Sequence, residues 1–558
     1  VTVRTEILHV PMRDGVTLTT RLLRPEGDGP FPLLLARNPY QWYAPDTWIH
    51  EPDYHWYAER GYAVALQSIR GQIDSPGEYE FFFGDGEDGY DAIEWLAAQP
   101  WCTGRVGMLG GSYLATVQWL AAREHPPHLV CIVPISPAGR MPDELPAQGG
   151  AIMPPYLTFG NFAGPHPDAE TQTEAFIHHR PLADLDRALG REAPLLREFL
   201  EHPLLDDHWR RLRFTPADYA AIELPSFMFA GWFDNDLIGT LEYWAGLNAH
   251  TPDEVERHMI VGPWTHNPIW VGGETSLGDL EFGEHARIDT RQLHLDFFDR
   301  HLRGLDRPVP PRVRVFVTGA NEWREIGHYP PLDACDRRFY LHSGGAANTR
   351  HGDGRLSDER PGDEPADRYL FDPENPVRSP AGDLMAVGHR GTDQRYLEER
   401  DDVLVYTTDV LDEPVETLGE AFVELHAATD GRDTDFTARL LDVHPDGRAY
   451  DLGPRSAGGI IRARYRNGGP EEQLLTPGEI VAYRIDLRHV GHRFLAGHRI
   501  RLEISSSYAP LFRPNPNTGN PIATDTEVRI AQQTIHHRAT APSALVLSVV
   551  PITREIGT

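Results

Sequence analysis

Three residues of different chemistry each follow a short apolar run that reads as a buried strand. Ser112 follows Val106-Gly107-Met108-Leu109 within Gly110-Gly111-Ser112-Tyr113-Leu114-Ala115, and a helix-compatible run continues through Trp119 and Ala122. A glycine-flanked serine between strand and helix fits a nucleophile elbow, a sharp turn that lifts the hydroxyl off the sheet and needs small neighbours where backbones crowd. The strict pattern has a second glycine where Leu114 stands. Asp234 ends Gly231-Trp232-Phe233-Asp234 after the run Ser226 to Ala230, and His266 ends Gly262-Pro263-Trp264-Thr265-His266 after His258 to Val261. Positions just past the C-terminal ends of strands are where open α/β sheets keep their sites. A serine hydroxyl is a weak nucleophile until an imidazole takes its proton, and a carboxylate must hold that imidazole's tautomer and stabilise its cation. The order Ser, Asp, His therefore assigns Ser112 as nucleophile, His266 as general base and then acid, and Asp234 as orienter. The oxyanion formed on attack needs donors: the backbone N–H of Tyr113 is one, and the Tyr40 phenol, on the loop after the first buried strand, is the second candidate.

Elements of the right kind surround these residues. Val3 to Leu23 alternates like a hairpin about Arg13-Asp14-Gly15, while Phe31 to Ala36, Tyr62 to Leu66 and Val130 to Val133 are short continuous apolar runs, as expected for buried parallel strands. Tyr90 to Gln99 places Ala92 with Leu96 and Ile93 with Ala97 on one helical face, and Gln292 to Leu302 does the same with Leu295, Phe298 and Leu302. Strands alternating with helices imply an α/β fold with a parallel sheet. Roughly residues 137 to 221 carry Pro-rich turns and helix-like pieces without a further sheet strand, as a helical cap would. After Pro308 to Pro311 and alternating Val313, Val315 and Val317, the helix signal fades, and strand alternation such as Ile500, Leu502 and Ile504 dominates. Over 200 residues of this kind form a two-sheet β sandwich. The expected division is 1–136 and 222–331 for the α/β domain, 137–221 for the cap and 332–558 for the sandwich.

Composition removes other chemistries. The chain has 558 residues, 40% apolar and 24% charged, an ordinary globular balance. Its net charge of −31 repels phosphate backbones and anionic lipid, so neither nucleic acid nor a membrane is expected as a partner. All 52 basic residues are arginine, since no lysine occurs; Schiff-base, phosphate-loop, kinase and Ser-Lys mechanisms each need an ammonium this chain lacks. Cys102, Cys131 and Cys335 are an odd, scattered set, neither a disulfide framework nor a zinc pattern. With no basic segment before a long apolar run and no stretch near 18 apolar residues, a cytoplasmic location is expected. His178-His179, His536-His537 and His125-Pro126-Pro127-His128 show no ligand spacing, so no metal and no cofactor are expected. The sequence sets no oligomeric state, and a homo-oligomer is compatible with it.

Arg37-Asn38-Pro39-Tyr40, the Ser112 elbow, Gly231-Trp232-Phe233-Asp234 and Gly262-Pro263-Trp264-Thr265-His266 together resemble the cocaine esterase/X-prolyl dipeptidyl aminopeptidase (CocE/NonD) family. The likeness continues through Arg70-Gly71, Phe297 to Gly304, Gly319 to Arg324, Asp433 to Ala438, Gly497-His498-Arg499 and Ser505-Ser506-Ser507. It implies an α/β-hydrolase domain with an inserted helical cap, a C-terminal β jelly roll, a Ser112-His266-Asp234 triad and an oxyanion hole of Tyr40 hydroxyl and Tyr113 amide. Ser68 and Ala115 depart from residues common in the family. The expected reaction is cleavage of a small carboxylic ester or amide through an acyl-enzyme. Related alternatives with the same triad are an α-amino acid ester hydrolase, an acyltransferase or an X-Pro dipeptidyl peptidase; a carbohydrate-binding jelly-roll protein is the non-enzymatic one. On the substrate side, Asp236 is a candidate to hold an ammonium-bearing acyl group, and Tyr156, Phe159 and Phe162 are candidates for an aromatic pocket wall.

Overall fold

A computed structural model describes residues 2–27, 29–40, 51–153, 169–190, 192–379, 391–453, 458–468 and 471–552. Ten strands make the first large sheet: β1 (Val3–Pro11), β2 (Thr17–Pro25), β3 (Phe31–Asn38), β4 (Ala63–Ser68), β5 (Cys102–Gly111), β6 (Leu129–Ile135), β7 (Ser226–Gly231), β8 (Arg257–Gly262), β9 (Val313–Val317) and β10 (Glu322–Ile326), ordered β1-β2-β4-β3-β5-β6-β7-β8-β9-β10. β1 and β2 form the antiparallel hairpin expected about Gly15, with Val3 opposite Pro25, and β10 folds back on β9; β4 to β9 run parallel.

The continuous apolar runs follow from burial on both faces. Leu33, Leu35, Met228 and Ala230 point to one core with helices α2 (Asp85–Ala97) and α4 (Leu237–His250). Leu34, Ala36, Phe227 and Phe229 point to the other, with Tyr57 of α1 (Glu51–Ala58) and Leu302 and Phe298 of α5 (Thr290–Arg303). Helix α3 (Tyr113–Arg123) follows β5 directly and is buried along almost its whole length. Helix α2 starts five residues before the expected Tyr90, because Asp85, Glu87 and Asp88 occupy its first turn, where acidic groups suit the helix dipole.

Between β6 and β7 the chain forms helices Ala169–His178, Pro194–Glu201, Asp207–Arg210 and Pro216–Ala220, with a small core of Ile152, Phe176, Leu185, Leu196 and Phe199. This insertion does contain strand structure, a two-residue pair of Ala147–Gln148 with Ala151–Ile152 that the sequence reading did not anticipate. Pairs this short carry no alternation to detect.

From Cys335 onward the chain is a jelly-roll β sandwich. Its longest strand, Val415–Thr429, pairs with Val481–Phe494 and Ala544–Val549, while Asp435–Val443 pairs with Arg499–Ser505. Leu341, Val423, Leu425, Leu440, Ile485, Leu502 and Leu547 fill the interior. Sheet and sandwich meet where Thr318 N–H donates to Gly491 O at 3.0 Å and Arg493 N–H donates to Thr318 O at 2.8 Å. A Cβ on Gly491 would lie 2.4 Å from the Trp232 ring. Among the described residues no helix is long and apolar enough to cross a membrane.

Candidate active site

Ser112 sits where β5 becomes α3, at φ 57° and ψ −126°. A left-handed φ is unfavourable for serine and persists only where the surroundings impose it. The imposing contacts are visible: Ser112 N–H donates to Ile135 O at 2.8 Å, and its carbonyl accepts from Ala115 and Thr116 amides in the first turn of α3. The glycines before it are required by space. A Cβ on Gly110 would lie 2.6 Å from that of Leu114, and one on Gly111 would enter the Trp270 indole at 2.2 Å. Trp270 follows His266 in sequence, so the elbow and the histidine loop are packed against each other.

Register places the triad candidates on one sheet edge. Gly111 pairs with Ile135, Ile135 with Phe229, and Gly231 with Gly262. The loops after β7 and β8 interlock: Trp232 N–H donates to Gly262 O at 2.9 Å and Phe233 N–H to Trp264 O at 3.1 Å. Their product is the His266 Nδ1 to Asp234 Oδ1 hydrogen bond at 2.9 Å. The Asp234 side chain is fully buried, whereas that of His266 is 24% exposed. Burial would raise the Asp234 carboxyl. The charge and hydrogen bond of His266, with the Asp236 amide, instead hold it below the usual carboxylate range, and it stays ionised at neutral pH. Asp234, Asp236 and His266 also lie close enough to share an ion.

The Tyr40 phenol lies 3.3 Å from Ser112 Oγ. Buried Asn38 sets the turn that brings it there, its amide donating to Tyr40 O at 2.7 Å and its carbonyl accepting from Tyr40 N–H at 2.9 Å. Tyr113 is held by its own phenol, which donates to Asp85 Oδ2 at 2.7 Å while accepting from Phe82 N–H. Its backbone N–H opens the helix beside the nucleophile. Asp236 is buried rather than outward-facing, with Oδ2 3.8 Å from His266 Nδ1. Tyr156, Phe159 and Phe162 lie outside the described residues.

Supporting residues escape a motif search because distant segments unite them. Glu274 accepts from both the amide and hydroxyl of Thr265, at 2.9 and 3.0 Å, and so fixes the residue before His266. Glu144 accepts from the amides of Gly139, Arg140 and Gly239, tying the insertion to the start of α4; burial and Asp236 push its carboxyl well above the usual range.

Residues 14–268 match the family described as X-Pro dipeptidyl-peptidase (S15 family), and residues 309–546 match the X-Pro dipeptidyl-peptidase C-terminal non-catalytic domain. The chain is 36% identical over 576 residues to the cocaine esterase of Rhodococcus sp. (strain MB1 Bresler), covering 97% of each. The chain belongs to the cocaine esterase/X-Pro dipeptidyl-peptidase family. Solved structures superpose over nearly its whole extent. An aminopeptidase from a marine sediment Thaumarchaeota archaeon gives a TM-score of 0.86 at 27% identity, covering 98% of this chain and 97% of its own. An α-amino acid ester hydrolase gives 0.84 at 26%, covering 98% and 96%. This family member is accordingly a serine hydrolase with an α/β-hydrolase domain and a C-terminal jelly roll.

Proposed function

We propose that the enzyme hydrolyses small carboxylic esters through an acyl-enzyme on Ser112. His266 Nε2 takes the Ser112 proton as Oγ attacks the carbonyl carbon, and Asp234 keeps the imidazole's other nitrogen protonated and balances its positive charge. The tetrahedral oxyanion is met by the Tyr40 hydroxyl and the Tyr113 N–H. Collapse expels the alcohol with the proton from His266, and a water activated by the same imidazole then releases the acid. The observation that carries this reading is the Tyr40 phenol 3.3 Å from the hydroxyl of a serine held at left-handed φ. Asp236, a buried carboxylate beside the imidazole, supports an acyl group bearing an ammonium. We also assign 1–136 and 222–331 to the hydrolase domain, 137–221 to the cap and 332–558 to the jelly roll.

A fluorophosphonate should form one covalent adduct, at Ser112, and Ser112→Ala should abolish both labelling and nitrophenyl ester turnover. Labelling at another serine, or turnover surviving Ser112→Ala, sinks the assignment. Asp236→Asn should raise KM for aminoacyl esters while sparing neutral ones.

A further inference from the structure

At one end of the sandwich, away from the hydrolase chemistry, histidines converge on a single buried carboxylate. Asp442 belongs to strand Asp435–Val443, His444 follows that strand, and His498 lies in the turn between Val481–Phe494 and Arg499–Ser505. One oxygen of Asp442, Oδ2, is 3.0 Å from His498 Nδ1, 3.3 Å from His492 Nε2 and 3.5 Å from His444 Nε2. A tetrahedral ion with ligands at about 2.0–2.2 Å sets ligand–ligand separations of roughly 3.3–3.6 Å. The carboxylate–imidazole spacings are therefore already close to those of a coordination shell.

Donor atoms of Asp442, His444 and His498 all lie within 4.8 Å of one another. His492 falls outside that set: its Nδ1 is 2.9 Å from the Thr318 hydroxyl, and its Nε2 holds the Asp442 carboxylate, the kind of outer contact that orients a metal ligand. The His444 and His498 rings stand 4.5 Å apart, and the His444 side chain is 30% exposed, which gives an ion a way in from solvent. Two imidazoles and one carboxylate suit Zn²⁺, whereas Ca²⁺ and Mg²⁺ favour all-oxygen sets.

We propose that Asp442, His444 and His498 form a zinc site, with water completing the shell. Its ligands tie the hairpin end that turns at Gly447 to the turn at Gly497. Through His492 and Thr318 they abut the contact between hydrolase sheet and sandwich, where the Thr318 hydroxyl also donates to Gly491 O at 2.9 Å. The site is structural and independent of the reading of Ser112. Sequence spacing concealed it, because only strand pairing brings residue 498 to 442 and 444.

The full chain, stripped of metal by a chelator, should bind one equivalent of Zn²⁺ by calorimetry and unfold at higher temperature when loaded. With Co²⁺ it should give the intense visible bands of four-coordinate nitrogen and oxygen ligation. His444→Ala leaves the Asp442 contacts to His492 and His498 in place. It should weaken Zn²⁺ binding by more than the roughly 10–100-fold that losing an outer hydrogen-bond partner costs, with ester turnover unchanged. Asp442→Asn should abolish binding, and if that variant does not fold, His444→Ala decides alone. Absence of binding in the unsubstituted chain overturns the proposal. So does Zn²⁺ binding that survives His444→Ala, including an ion at Asp234 and His266, which would reveal itself by inhibiting ester turnover.

Discussion

Tyr40 tests the site at the scale of one oxygen atom. Its ring packs against the core beneath the elbow, and its backbone is fastened by Asn38, so neither depends on the hydroxyl. Tyr40→Phe should therefore keep the fold and the ring's packing and lose only the proposed oxyanion donor. Removal of one oxyanion donor costs about 10²–10³ in kcat, or about 2.7–4 kcal/mol. The expected result is that fall in kcat with KM and melting temperature nearly unchanged; unaltered kcat would remove Tyr40 from the mechanism. The Tyr113 amide offers no such substitution. It is protected instead by the buried phenol–Asp85 hydrogen bond, and burial raises Asp85 despite the Arg37 guanidinium 3.3 Å away.

The proposed catalytic geometry is an agreement between two strand ends, and Gly231 shows how little room that agreement has. A Cβ there would lie 2.1 Å from the backbone oxygen of Trp264, the same oxygen that accepts from Phe233 N–H. Backbone cannot step aside as a flexible side chain can. Gly231→Ala should thus pry the Asp234 loop from the His266 loop, costing about 1–3 kcal/mol of stability, typical of overpacking. A denaturant midpoint should register the loss, with a fall in kcat larger than any change in KM; a variant of normal kcat would contradict the interlock. This interlock also explains what was legible beforehand. Apolar runs buried on both faces announce themselves, and so do the glycine-flanked Ser112 and the residues closing β7 and β8. Glu274, Glu144 and Trp270 were not, because each acts through a partner on another segment, and no local period marks a residue that buttresses a loop from outside. Asp236 was visible as a residue, but its burial was not, since only the path of α4 and the insertion encloses it.

At the scale of the molecule, the insertion between β6 and β7 is fastened to the sandwich as well as to the hydrolase sheet. Arg462 N–H donates to Gly149 O at 2.8 Å, Ala183 N–H to Ala523 O at 2.9 Å, and Arg180 pairs with Glu374 at 2.8 Å. A further buried fastening is Arg513. Its guanidinium donates to the carbonyls of Phe176 and His179, at the C-terminal end of helix Ala169–His178, while its own N–H donates to Ile152 O at 3.0 Å. Burial, with the Arg180 and Arg462 charges nearby, draws the guanidinium down to about 9, still cationic at neutral pH. A cation there meets the negative end of the helix dipole, an interaction worth up to about 2 kcal/mol when partly buried. Arg513→Met would fill much of the same volume yet strand the buried Phe176 carbonyl, costing about 1–3 kcal/mol, and leave the part-buried His179 carbonyl to water. The cost falls on the docking of the insertion, because both carbonyls belong to it. Limited proteolysis of Arg513→Met should therefore cut faster within 169–201, and kcat/KM should fall, while fluorophosphonate still labels Ser112. Arg513→Lys keeps the charge but cannot span both carbonyls, and its cleavage rate should lie between the two. Proteolysis at the unsubstituted rate in Arg513→Met would mean that the sandwich does not hold the insertion through this side chain.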